Sequence, residues 1–156
     1  MPEVVFDGRV SSVLAAGEVV TGLRTPGVEG AVERLLIPSL RKAGLDAESA
    51  RNAAVAVVAR EKAGSTCMGI VAIPHARVPG LKRIVGGMGL NGDGVYEESG
   101  EIRIVLAFAT PASEAVAHLK FLAKVAELFR LKDTVAQLLA GTSPEAVLEA
   151  IRSREK

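Results

Sequence analysis

The segment Ile102–Ala109, reading Ile-Arg-Ile-Val-Leu-Ala-Phe-Ala, most constrains the fold. It is too short and too rich in branched residues for a core helix. Its near-continuous apolarity suits a strand buried on both faces rather than one that alternates between core and water. Such a strand lies at the centre of a sheet and requires helices above and below it. Patterns on either side supply them. Val32, Leu35, Leu36 and Leu40 have helical spacing within a helix expected over Val28–Lys42, with a kink or break at Pro38. Asp46 is positioned to cap a second helix from Ala47 to Lys62, on which Ala54, Val55, Val58 and Ala59 are expected to face inwards. Downstream, a helix from Ser113 to Phe129 carries His118, Leu122, Val125 and Phe129 on one stripe. A shorter helix spans Asp133–Leu139, and a last one starts at Ser143-Pro144-Glu145.

Further strands are expected at Val19–Arg24, along the apolar run that reaches His75, and at Arg83–Leu90. Asn91-Gly92-Asp93-Gly94 supplies a reversal into the central strand. Residues 1–18 show mixed, partly irregular character. The order β-α-α-β-β-β-α-α-α predicts an α/β fold, an α+β sandwich whose mixed central sheet of about five strands is flanked by helices on both faces. A chain of 156 residues is expected to form a single domain over 1–156, with its core over about 18–152. Aromatics make up only 3 %, with no Trp, so the core is built from Ala, Val, Leu and Ile, and a stacking platform for single-stranded nucleic acid is not expected. With 19 basic and 18 acidic residues and no long run of one sign, no nucleic-acid partner or membrane footprint is expected either. No apolar run approaches a membrane span, the first residues do not resemble a signal peptide, and the lone Cys67 suits a reducing compartment. A cytoplasmic location follows as the expectation.

The chemistry concentrates in Gly69-Ile70-Val71-Ala72-Ile73-Pro74-His75. An apolar strand ending in Pro-His holds one of the two histidines at a defined point of the backbone, where an imidazole can act as nucleophile or base near neutral pH. Arg60-Glu61 closes the helix before this segment, and His118 lies on the helix after the central strand. A sheet with both helices packed on it can bring Arg60 and His118 near His75. Two imidazoles and a guanidinium suit an incoming phosphoryl group, whose transfer depends on positioning and charge. Each residue also has a simpler reading. Arg60 can be a favourable charge in a last helical turn, His118 a hydrogen-bonded core histidine, Thr66 a turn former rather than a hydroxyl for an anion, and Cys67 a packing residue. Gly87-Met88-Gly89-Leu90-Asn91-Gly92 matches G-x-G-x-x-G, but a reversal rather than a helix follows it, so no dinucleotide site is expected. Two distant histidines and one cysteine predict no metal site, and no cofactor is expected.

Thr66–His75, ending Ala72-Ile73-Pro74-His75, resembles the phosphorylation-site motif of enzyme IIA of the phosphoenolpyruvate-dependent phosphotransferase system, in its fructose, mannitol and nitrogen-regulatory class. The resemblance extends over about residues 18–152. It takes in Arg60-Glu61, Asn91–Tyr96, Ile102–Ala109, Pro111, His118-Leu119 and Leu122-Ala123. The loop before His75 is one residue shorter than the family pattern and lacks its second glycine. The segment Val28-Glu29-Gly30 lacks a lysine often found there. The resemblance implies a mixed sheet between helices and a phosphoryl carrier. His75 would be the acceptor through Nε2, His118 its neighbour, and Arg60 and Thr66 the phosphate contacts. The implied donor is an HPr-like phosphocarrier, and the implied recipient a IIB domain or a regulatory target protein. Because this length holds no transporter domain, nitrogen-type regulation is the first expectation. A sugar-specific IIA that passes phosphate to a separate IIB is the alternative. A non-phosphorylated partner-binding module on the same fold is the reading from a different class.

Overall fold

The computed structural model describes residues 4–155; residues 1–3 and 156 of the expected domain lie outside the described residues. The elements run α1 (Val10–Ala16), β1 (Glu18–Thr21), α2 (Val28–Lys42), α3 (Ala47–Ala63), β2 (Cys67–Met68), β3 (Val71–Ala72), β4 (His75–Val78), β5 (Val85–Leu90), β6 (Ile104–Pro111), α4 (Ala115–Phe129), α5 (Lys132–Ala140) and α6 (Pro144–Arg154). Caps read from the sequence are in place. The Asp46 carboxylate accepts from the Ser49 N–H at 2.7 Å, and the Ser143 hydroxyl accepts from the Ala146 N–H at 3.1 Å with Pro144 opening α6. Helix α1 is a correction, since residues 1–18 carried no expected helix. Val10 and Leu14 bury one face of it, and the Glu155 carboxylate accepts from the N–H groups of Val10 and Ser11 at its start.

Strand β6 occupies the centre of a mixed sheet in the order β1-β5-β6-β3-β2, with β4 also paired to β6. The sheet has six strands rather than about five because the Pro-His segment is divided. β3 and β4 both run parallel to β6 in one unbroken register, Val71 opposite Ile104 and His75 opposite Phe108. Between them Pro74 has no N–H to donate, and the ladder continues through its carbonyl, which accepts from the Phe108 N–H at 3.1 Å. His75 therefore opens a strand; the expected strand end at Pro-His is corrected. β2 folds back on β3 across Gly69-Ile70, where Gly69 has φ 62°, at the position where a type II′ reversal takes glycine.

Alternation along β6 separates two cores. Val105, Ala107 and Ala109 face α2 and α3, while Ile104, Leu106 and Phe108 face the side packed by α1, α4, α5 and α6. The first face is built from small residues, and α2 sits close against it: a Cβ on Gly87 of β5 would lie 2.7 Å from the Leu35 carbonyl oxygen. Of the kink or break expected at Pro38, the break is absent: helix α2 runs continuously through it. Pro38 and Arg34, whose carbonyl it frees, both lie on the exposed face, and burial of Leu35, Leu36, Ser39 and Leu40 holds the helix on both sides of it. On α3 the buried face is Ala53, Ala54, Val57 and Val58; Val55 and Ala59 are exposed, contrary to the expected face. Cys67 is exposed rather than packed.

Candidate functional site

The parallel pairing of β4 with β6 sets His75 on the α4 side of the sheet. There its ring stacks on the Phe108 ring directly opposite, with centroids 4.8 Å apart and planes within 5°. This stack fixes the plane of the imidazole, and a hydrogen bond fixes its rotation: His75 Nδ1 lies 2.7 Å from the Ile73 carbonyl oxygen. A carbonyl only accepts, so Nδ1 carries a proton, which leaves Nε2 as the nitrogen whose lone pair the ring presents whenever it is uncharged. The residue is 9 % exposed. Among the described residues, the Tyr96 hydroxyl is the one buried side-chain polar atom without a partner. His75 Nε2 also lacks a hydrogen bond, so it reaches solvent.

The Ile73 carbonyl is held from a second direction. Thr66 Oγ1 lies 2.7 Å from it and 2.9 Å from a Glu61 oxygen, and the Thr66 carbonyl accepts from the Ile73 N–H at 2.8 Å. The Thr66 N–H donates to Glu61 at 2.5 Å. Thr66, read from the sequence as a phosphate contact, thus has its hydroxyl turned to Ile73 and Glu61. Glu61, the partner of Arg60 in sequence, anchors the loop between α3 and β2.

His118, on the second turn of α4, packs against His75 with ring centroids 5.6 Å apart and planes at 45°. Its Nδ1 lies 2.6 Å from the hydroxyl oxygen of Thr110. Burial first, then the neighbouring His75, Arg77 and Arg60, hold its basicity below that of an ordinary histidine. Arg60, on the last turn of α3, is exposed and its guanidinium forms no hydrogen bond or ion pair among the described residues, yet its charge is felt at His118. Arg77 lies two residues beyond His75 on the same side of β4, and its guanidinium donates to the Ala112 carbonyl.

The structure thus places His75 and His118 in contact, with Arg60 near enough to act through charge and Thr66 behind the backbone of His75. Sequence reading did not single out Phe108, Thr110 or Arg77. The period-2 relation of Arg77 to His75 was visible, as was a threonine closing an otherwise apolar strand. The partner of each required the register of β4 on β6. Among the described residues no helix is long and apolar enough to cross a membrane.

The family model described as phosphoenolpyruvate-dependent sugar phosphotransferase system, EIIA 2, matches residues 27–154. The chain belongs to this family. A nitrogen regulatory protein of Bradyrhizobium diazoefficiens is 26 % identical to this EIIA 2 chain over 146 residues, covering 91 % of the chain and 94 % of the relative. Among solved structures, the nitrogen regulatory protein IIA-Ntr of Neisseria meningitidis shares the fold with a TM-score of 0.71 at 23 % identity, covering 91 % of this chain and 98 % of that one. Enzyme IIA-Mtl of Escherichia coli, in its complex with phosphorylated enzyme IIB-Mtl, shares it with a TM-score of 0.63 at 19 % identity, over 86 % of this chain and 94 % of that one. The mixed sheet between helices expected from the sequence is the fold of these IIA proteins.

Proposed function

We propose that this EIIA 2 chain is a phosphoryl carrier whose acceptor is His75 Nε2, charged by an HPr-like phosphocarrier. The observation that carries this reading is the hydrogen bond from His75 Nδ1 to the Ile73 carbonyl, which leaves a fixed, solvent-reaching lone pair on the other nitrogen. That lone pair attacks phosphorus in line. The new N–P bond forms as the N–P bond to the donor histidine breaks, and the bonding pair returns to the donor ring. Arg60 pairs with the phosphoryl oxygens, and the neutral His118 ring contributes a hydrogen-bond donor beside them. Thr66 acts as a brace: its hydroxyl proton is shared between the Ile73 carbonyl and the Glu61 carboxylate, and its own carbonyl accepts from the Ile73 N–H. No metal or cofactor enters these steps.

Identity to a nitrogen regulatory protein across nearly the whole chain supports a regulatory use of the phosphorylated state. The likeness to a IIA structure in complex with phosphorylated IIB keeps the sugar-transport alternative open, in which His75 hands its phosphoryl group to a separate IIB. The test is phosphoryl uptake from phosphoenolpyruvate through Enzyme I and a phosphocarrier. The parent chain is expected to gain one acid-labile, base-stable phosphoryl group and His75→Ala none. Arg60→Ala should slow uptake by about 100- to 1,000-fold, the loss typical of one donor aimed at developing charge. Undiminished labelling of His75→Ala would overturn the acceptor assignment. Chase onto an added IIB domain, but onto no regulatory target, would favour the transport alternative.

A further inference from the structure

Strand β6 touches both imidazoles. Phe108 stacks on His75, and Thr110, two residues further along the same face, meets His118. Thr110 is 0 % exposed, so water cannot satisfy its hydroxyl, and among the described residues His118 Nδ1 is that hydroxyl's hydrogen-bond partner. A hydroxyl has one proton to give and lone pairs to receive. Were Thr110 the acceptor, its own proton would be buried without an acceptor, the costlier of the two failures. Were it the donor, only a lone pair would go unused. The proton therefore lies on Thr110 and points at Nδ1. A neutral imidazole that accepts at Nδ1 carries its proton at Nε2. Burial first, then the neighbouring His75, Arg77 and Arg60, disfavour a second proton on the ring.

We infer that Thr110 is a positioning residue: its hydroxyl fixes His118 as the Nε2–H tautomer, opposite to that of His75, so that one ring offers a lone pair and the other a donor. This rests on the phosphocarrier reading above. Two rings of the same tautomer would set two lone pairs toward one electron-rich phosphoryl group; opposite tautomers give attack from one side and a hydrogen bond to oxygen from the other. Phe108 and Thr110 thus orient the two rings from one rigid strand.

The test uses the whole, unphosphorylated chain labelled with 15N, on which imidazole spectra distinguish protonated from unprotonated ring nitrogens. In the parent, His118 is expected to carry its proton at Nε2 and His75 at Nδ1. Thr110→Val keeps the branched shape and removes the hydroxyl. It should mix the His118 tautomers, leave His75 unchanged and slow phosphoryl uptake about five- to tenfold, less than loss of a direct contact because Thr110 acts through His118. Thr110→Ser should restore both tautomer and rate, which a loss of packing alone would not allow. A parent His118 protonated at Nδ1, or a folded Thr110→Val chain with unchanged tautomers or an unchanged rate, overturns the inference. If the parent takes no phosphoryl group from any phosphohistidine carrier, the phosphocarrier reading falls, while the tautomer spectra still decide whether Thr110 orients His118.

Discussion

At the scale of single residues, the structure sets two identical side chains in unlike surroundings. The surroundings of His75 and His118 differ in which ring nitrogen meets a fixed partner: a carbonyl oxygen for His75, a hydroxyl for His118. Burial and neighbouring positive charge also depress the basicity of His118, with a consequence for stability. A histidine whose folded-state basicity is below its unfolded value binds protons preferentially in the unfolded chain. Its contribution to stability is complete above the unfolded value and is lost as pH falls through and below it. Stability should therefore decline from about pH 6.5 downward, and His118→Gln should flatten that decline; urea unfolding across pH 5 to 7.5 measures it. A slope unchanged by the substitution would assign the decline to other groups. That His75 and His118 would meet, with the charge of Arg60 nearby, was legible in the sequence, because all three lie on elements expected to pack on one sheet. Which nitrogen faces the site was not, because it depends on partners distant in the chain.

Among the elements, the decisive arrangement is the interrupted strand beside β6. β3 and β4 behave as one strand from which Pro74 removes a donor, and the register persists across the gap. The apolar run was legible, but its division was not, since a proline near a strand end and a proline inside an edge ladder read alike. Helix faces show a similar limit. On α3 every position from Ala53 to Ala59 is apolar, so periodicity could not choose the buried stripe, and contact with the sheet chose it. On β5 the glycines that mimic a dinucleotide motif serve close packing instead. Gly87 admits α2 against the sheet, and a Cβ there would meet the Leu35 carbonyl oxygen at 2.7 Å and Leu35 Cβ at 3.3 Å. Gly87→Ala should cost about 2 kcal/mol, as overpacking does, read as a lower midpoint in urea with an unchanged slope. A neutral result would show that α2 yields easily.

Across the whole molecule, the first and last helices are tied together on the α4 side of the sheet. Glu155, just past α6, accepts from the Val10 N–H at 2.6 Å and the Ser11 N–H at 3.3 Å, so the residue that ends the last helix supplies the cap that α1 lacks locally. Glu155→Ala should destabilise by about 1 kcal/mol, as loss of a cap does, and hydrogen exchange should report it first in α1. Equal protection of α1 in both proteins would show that Glu155 does not cap it. By itself the sequence determined the layered α/β plan, the central strand, most helix limits and the meeting of the two histidines. These depend on periodicity, capping and side-chain chemistry, all local in the chain. Only the tertiary structure decided the division at Pro74, the buried face of α3, the cap from Glu155 and the pairing of Phe108 and Thr110 with the two imidazoles. Each depends on which distant segments share an edge or a face, and a register between strands is set by the packing of the whole sheet rather than by either strand alone.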